Sequence, residues 1–317
     1  MTATLEDLVI FSGSACPRLA AQVAAKLKIE IASAHVRRFS DGENWVELLD
    51  NVRGKSVLII QSVCPPANDN LMELILMIDA ARRSSALNIA AMAPYLGYSR
   101  QDRRPRSVRV PISARVVADM LGGAGISRLL TMDLHSEQIQ GFYDAPVDNM
   151  YALPVLTGDI AQRAAPDGMI VAPDVGGVVR ARAFANNLGM DLAILDKRRP
   201  RANVAKVMNI IGDVSGKHCF IVDDIVDTAN TLCEAAGALK AAGAKSVSAY
   251  CTHAILSGGA AARIGDSQLD ELVVTDTVPL GEDSSGCDKI RVLTVASVLA
   301  ETVLRVYRQG SLSSLFS

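Results

Sequence analysis

Short apolar runs alternate with longer amphipathic stretches from Leu8 almost to the end of the chain, and few folds accommodate that rhythm. Strands that are apolar on both sides must be buried on both faces. Intervening helices supply the two covering layers, which is the βαβ pattern of a parallel sheet. In the first half, residues 8–11, 56–61, 89–93 and 128–132 read as strands. Helical periodicity over 71–83 follows the cap formers Asn68, Asp69 and Asn70, and Pro111 opens a second helix that Gly122 and Gly123 weaken or end. The second half repeats the style, with strands at 169–172, 218–222 and 247–251 and helices at 178–188, 228–242 and 296–309.

A chain of 317 residues exceeds what one core comfortably supports. Two domains are therefore expected, 1–150 and 151–317. The join falls where Pro146, Asp148, Asn149 and Pro154 interrupt the periodicity, and the last helix is available to pack back on the first domain. Half the residues are hydrophobic and only 4% are aromatic, which speaks against disorder and against base stacking. With 32 basic and 34 acidic residues no global field draws nucleic acid or an anionic membrane, so neither is expected as a partner. The cysteines at 16, 64, 219, 233, 251 and 287 form no CxxC pair and mostly sit in apolar runs, which fits a reducing cytoplasm. No apolar run approaches the roughly 18 residues of a spanning helix.

The sharpest local signal lies between His218 and Thr231. An apolar run leads into Asp223 and Asp224, then Asp227-Thr228-Ala229-Asn230-Thr231 at a helix start. Carboxyl ends of parallel strands are where α/β sheets bind ligands, and a helix N-terminus offers N–H groups to a phosphate. Thr228 and Thr231 add hydroxyl donors. Asp223 and Asp224 repel each other unless something cationic or hydroxyl-bearing lies beside them, such as a ribose diol or a metal. An acidic helix cap accounts for one of these aspartates but poorly for all three.

This segment resembles the phosphoribosyl diphosphate (PRPP) binding motif shared by type I phosphoribosyltransferases and PRPP synthetases, except that Asn230 stands where glycine is expected. Asn is the residue that best tolerates the left-handed backbone such a glycine would adopt. The motif does not separate a maker of PRPP from a user. Other segments do. Phe39-Ser-Asp-Gly-Glu43, Tyr95-Leu-Gly-Tyr-Ser-Arg-Gln-Asp-Arg103, Thr131-Met-Asp-Leu-His135, Ala172-Pro-Asp174 and Asp196-Lys-Arg-Arg199 resemble PRPP synthetase segments. Read for their chemistry alone, Asp41-Gly42 suits a hairpin turn and 100–104 a solvated charge run.

The resemblance implies two tandem type I phosphoribosyltransferase-like domains, each a largely parallel sheet flanked by helices. It implies an ATP site of Phe39, Asp41, Gly42, Glu43, Arg100, Gln101, Asp102 and His135. Phe39 would stack on adenine, Asp41 and Glu43 accept from its amine, and Arg100 neutralise phosphate. Ribose 5-phosphate would be held by Arg199, Asp223, Asp224 and the loop Asp227, Thr228, Ala229, Asn230, Thr231. Lys197 and Arg199 would be catalytic, and His135 and Asp174 would contact Mg²⁺ largely through water. A homo-oligomer, a hexamer, is implied, with inorganic phosphate and ADP as effectors near the tail that carries Ser311 and Ser313. A transferase that consumes PRPP has no use for 39–47 and 95–104. A catalytically silent subunit is expected to lack Lys197, Arg199 or His135, and all three are present.

Overall fold

The computed structural model describes residues 5–163, 167–198 and 207–315. It divides into two compact units. One comprises the chain up to Ala152 with Thr277–Pro279 and the stretch from Thr294, and the other comprises Leu153–Asp276 with Leu280–Leu293.

In the first unit the elements are β1 (Leu8–Ser12), α1 (Pro17–Leu27), β2 (Ala34–Arg38), β3 (Asn44–Leu48), β4 (Ser56–Ile60), α2 (Ala67–Arg83), β5 (Asn88–Ala93), α3 (Ser113–Ala124), β6 (Arg128–Met132) and β7 (Val147–Met150). Strands β1-β4-β5-β6-β7 pair in that order, all parallel. Val57, Leu58, Ile59 and Ile60 of β4 are all fully buried, as a strand covered on both faces requires. Pro17 starts α1, and its Leu19, Ala20, Val23 and Ala24 turn inward. β2 and β3 form a separate antiparallel hairpin that packs on α2.

Two helix ends differ from the periodicity. α2 begins at Ala67, so Asn68, Asp69 and Asn70 lie inside its first turn. Asn70 donates from Nδ2 to the Cys64 carbonyl at 2.8 Å instead of capping its own helix. α3 starts two residues after Pro111, runs through Gly122 and Gly123, and stops on Gly125 at φ +111°. The left-handed position, where a β-carbon would meet Arg82, sets the end.

The second unit contains α4 (Leu153–Arg163), β8 (Gly168–Ala172), α5 (Val178–Leu188), β9 (Asp191–Arg198), β10 (Val207–Ile211), β11 (His218–Val226), α6 (Asn230–Ala241), β12 (Ser246–Ala254), α7 (Ala260–Asp266), β13 (Glu271–Thr275), α8 (Glu282–Ser285) and β14 (Ile290–Leu293). The strand order is β10-β9-β8-β11-β12-β13-β14, with β10 antiparallel to β9 and the remaining pairs parallel. α9 (Ala296–Tyr307) belongs to the first unit and packs on α1. Among the described residues no helix is long and apolar enough to cross a membrane.

Candidate functional site

β11 runs further than its apolar residues suggest. Asp223 pairs in register with Cys251 of β12, Ile225 with His253 and Val226 with Ala254, so the two acids lie within the strand and not beyond it. Alternation along a strand puts Asp223, Ile225 and Asp227 on one face. These three line a cavity of about 240 Å³, together with Asp174, Thr228, Ala229, Asn230 and Thr231. Asp224 is not among the lining residues, and its side chain is only 6% exposed.

The turn from β11 into α6 corrects one expectation. The left-handed residue is Ala229, at φ 58°, while Asn230 is already the first residue of the helix. Asn230 Nδ2 donates to Thr228 Oγ1 at 3.2 Å. The helix therefore starts two residues later than its apolar spacing indicates, and Asn230 and Thr231 of its first turn line the same cavity as Thr228.

Residues outside the motif hold it in place. Ser257 Oγ donates to Asp227 Oδ1. Arg263, on α7, donates to the carbonyl of Thr228 and, at 3.3 Å, to that of Gly258. Arg180 Nη1 lies 3.0 Å from Asp224 Oδ1 and 3.3 Å from Asp223 Oδ1. Desolvation by burial raises the carboxyl of Asp223 well above the usual range, the Asp224 charge adds to it, and Arg180 opposes both. Asp174 follows β8 at the same end of the sheet, and its Oδ1 accepts from the Gly177 amide at 2.9 Å.

In the first unit, residues 39–43 form the tight turn of the β2–β3 hairpin. Phe39 N–H donates to the Glu43 carbonyl at 2.8 Å, Gly42 sits at φ +95°, and Glu43 N–H donates to Asp41 Oδ1 at 3.1 Å. The hairpin reading holds, and the turn leaves Phe39 52% exposed and Asp41 and Glu43 on the surface. Gln101 Oε1 accepts from Ser113 Oγ at 2.5 Å and Asp102 Oδ2 from Gln138 Nε2 at 2.9 Å, while Arg100 is exposed. His135 follows β6 in a turn fixed by Leu134 N–H donating to Asn149 Oδ1 at 3.0 Å. Lys197 lies in β9, in register with Met208. Arg199 lies outside the described residues. Ser311 and Ser313 are exposed, and Arg305 donates to the Ser311 carbonyl at 3.0 Å.

Among the described residues no group of three or more His, Cys, Asp or Glu side chains forms a metal cage. Mg²⁺ needs none, because it keeps much of its water and binds through one or two carboxylates with substrate phosphate. The carboxylate of Asp174, bordering the cavity, fits that requirement.

A parallel sheet with acids and a helix N-terminus gathered at its carboxyl edge defines an α/β protein built to take a phosphorylated, hydroxyl-rich ligand. Comparison with known proteins narrows the class. A model of the N-terminal domain of ribose phosphate pyrophosphokinase matches residues 8–125, and one of the phosphoribosyl synthetase-associated domain matches 199–317. The chain is 60% identical over 312 residues to the ribose-phosphate pyrophosphokinase of Ralstonia nicotianae, covering 98% of this chain and 99% of that protein. It is 58% identical over 315 residues to that of Neisseria meningitidis, covering 99% and 96%. The crystal structure of phosphoribosylpyrophosphate synthetase from Mycobacterium smegmatis superposes with a TM-score of 0.90 at 41% identity, covering 96% of this chain and 99% of that one. The chain belongs to the ribose-phosphate pyrophosphokinase family.

Proposed function

We propose that the protein transfers the β,γ-diphosphoryl group of ATP to the anomeric hydroxyl of ribose 5-phosphate, giving PRPP and AMP. The observation that carries this is membership of the ribose-phosphate pyrophosphokinase family at 60% identity over 98% of the chain, and the cavity in which Asp223, Asp227, Thr228, Thr231 and the start of α6 converge supports the sugar-phosphate half of the reaction. Acids suit the ribose hydroxyls, and the hydroxyls with the helix N–H groups suit the 5-phosphate. The sugar's O1 attacks the β-phosphorus, the bond from that phosphorus to the oxygen bridging to the α-phosphorus breaks, AMP keeps that oxygen, and the O1 proton passes to solvent.

Lys197 and Arg199 carry the charge that develops on the transferring group, where an enzyme gains most from fixed cations. Phe39, Asp41, Gly42 and Glu43 read adenine, while Arg100, Gln101, Asp102 and His135 hold the rest of ATP. Mg²⁺ held through Asp174 and His135 would neutralise the triphosphate when bound. The tail serines, Ser311 and Ser313, form part of a site where inorganic phosphate activates and ADP competes, in a hexamer that works in the cytoplasm. A phosphate titration that leaves activity flat would remove that regulatory part.

The test of the reaction itself is direct. Purified protein with Mg²⁺, ATP and ribose 5-phosphate, and no nucleobase, is expected to release AMP and PRPP in equal amounts. ADP as the nucleotide product would overturn the assignment.

A further inference from the structure

Two adjacent aspartates in one strand need a counter-charge, and the chain supplies its own. Asp224, 6% exposed, is too buried to stay ionised alone, since a buried charge is retained only when paired. Arg180 reaches it from α5, three residues after the Gly177 that closes the Asp174 loop. Its Nη1 bridges the pair, 3.0 Å from Asp224 and 3.3 Å from Asp223, and both contacts fall on Oδ1 oxygens. The Asp224 amide also donates to Asp223 Oδ1, at 2.9 Å. One oxygen of Asp223 is thus pinned from two directions, and Asp223, not Asp224, borders the cavity.

We propose that Arg180 is a positioning residue for sugar-phosphate binding, bridging the two acids so that Asp223 is presented to the ribose hydroxyls while Asp224 remains buried as its charge-balanced support. This rests on the reading of the cavity as the ribose 5-phosphate site. Without Arg180 the 3.3 Å contact on Asp223 Oδ1 is gone, and the carboxyl is released to rotate away from the cavity wall.

The experiment is steady-state kinetics on the full-length protein with ATP and ribose 5-phosphate varied separately. Arg180→Met is expected to raise KM for ribose 5-phosphate about tenfold or more and leave KM for ATP within about threefold. Adding Asp224→Asn to Arg180→Met removes the uncompensated charge and should bring the ribose 5-phosphate KM back toward the wild type. If Arg180→Met does not fold, the double variant decides. An unchanged KM in a folded Arg180→Met, or a double variant with no recovery, overturns the proposal. These outcomes require an active wild type, so a wild type that releases no AMP fails the functional assignment instead.

Discussion

Ala229 carries a β-carbon at φ 58°, a backbone region that costs most residues roughly 1–2 kcal/mol. The sequence shows that some residue between Asp227 and Thr231 must turn left-handed, and the missing glycine draws attention to Asn230. The turn falls one position earlier because Asn230 is already committed to the helix. Ala229→Gly should relieve the strain at some cost in unfolded-state entropy, for a net gain of about 0.5–1 kcal/mol in urea unfolding. A loss of stability would mean that the alanine methyl, which is buried, contributes more than the strain removes. Charge chemistry at single residues is legible where it is local. Asp223, Asp224 and Asp227 announce themselves, but Arg180 joins them from 43 residues away, and nothing in one-dimensional spacing pairs it with them. Lys197 is legible as a cation next to other cations, and its catalytic part is testable. Lys197→Ala is expected to lower kcat by roughly two to four orders of magnitude with substrate KM values within about tenfold, as for a charge needed mainly in the transition state. A defect confined to KM would assign it to binding alone.

Whole elements are most legible where the hydrophobic pattern is continuous. β6 and α5 keep the limits their apolar spacing sets, since each is bounded by polar or glycine punctuation. β11 does not, because Asp has low strand propensity and an apolar pattern stops at Val222; pairing with β12 carries the strand on to Val226. Pairing partners are tertiary information. The β2–β3 hairpin is the opposite case, a turn signal at Asp41-Gly42 that is both a real turn and the mount for Phe39. The Phe39 N–H to the Glu43 carbonyl and the Gly42 N–H to the Phe39 carbonyl close that turn, beneath a half-exposed ring. Phe39→Ala should weaken ATP binding by about 1–3 kcal/mol of lost burial and stacking and leave ribose 5-phosphate binding unchanged. Calorimetry with each ligand separates the two. Equal losses for both ligands would place Phe39 outside the adenine site.

At the scale of the molecule, each unit has its own buried cluster, one around Phe11, Ile59, Leu74 and Met77 and the other around Val171, Ile221, Leu239 and Val247. The acid at the edge of the second cluster makes that unit's stability depend on pH in a direction opposite to most carboxylates. In the folded chain Asp223 holds its proton more tightly than in the unfolded chain, because burial and then the Asp224 charge disfavour its ionised form. Between the ordinary carboxylate range near 3.8 and its raised value of about 8, the folded state therefore binds more protons than the unfolded state. The contribution is fully present below that window and is lost as pH rises through it. Asp159 opposes this trend. Although burial pushes its carboxyl up, Arg291 and Tyr250 hold the net value below the ordinary range, so its contribution is present above that range and lost in acid. Wild-type melting temperature alone mixes the two, and the difference from a variant isolates one. Asp223→Asn, which cannot ionise, should melt at about the same temperature as the wild type near pH 4 and progressively higher as pH rises. A few degrees is expected at pH 8, where each kcal/mol is worth roughly 2–4 °C in a domain of this size. Scanning calorimetry of the ligand-free protein in chelator from pH 4 to 8 makes the comparison. A difference that stays flat or reverses sign across that range would show that Asp223 is ionised in the fold, with Arg180 outweighing both burial and its neighbour.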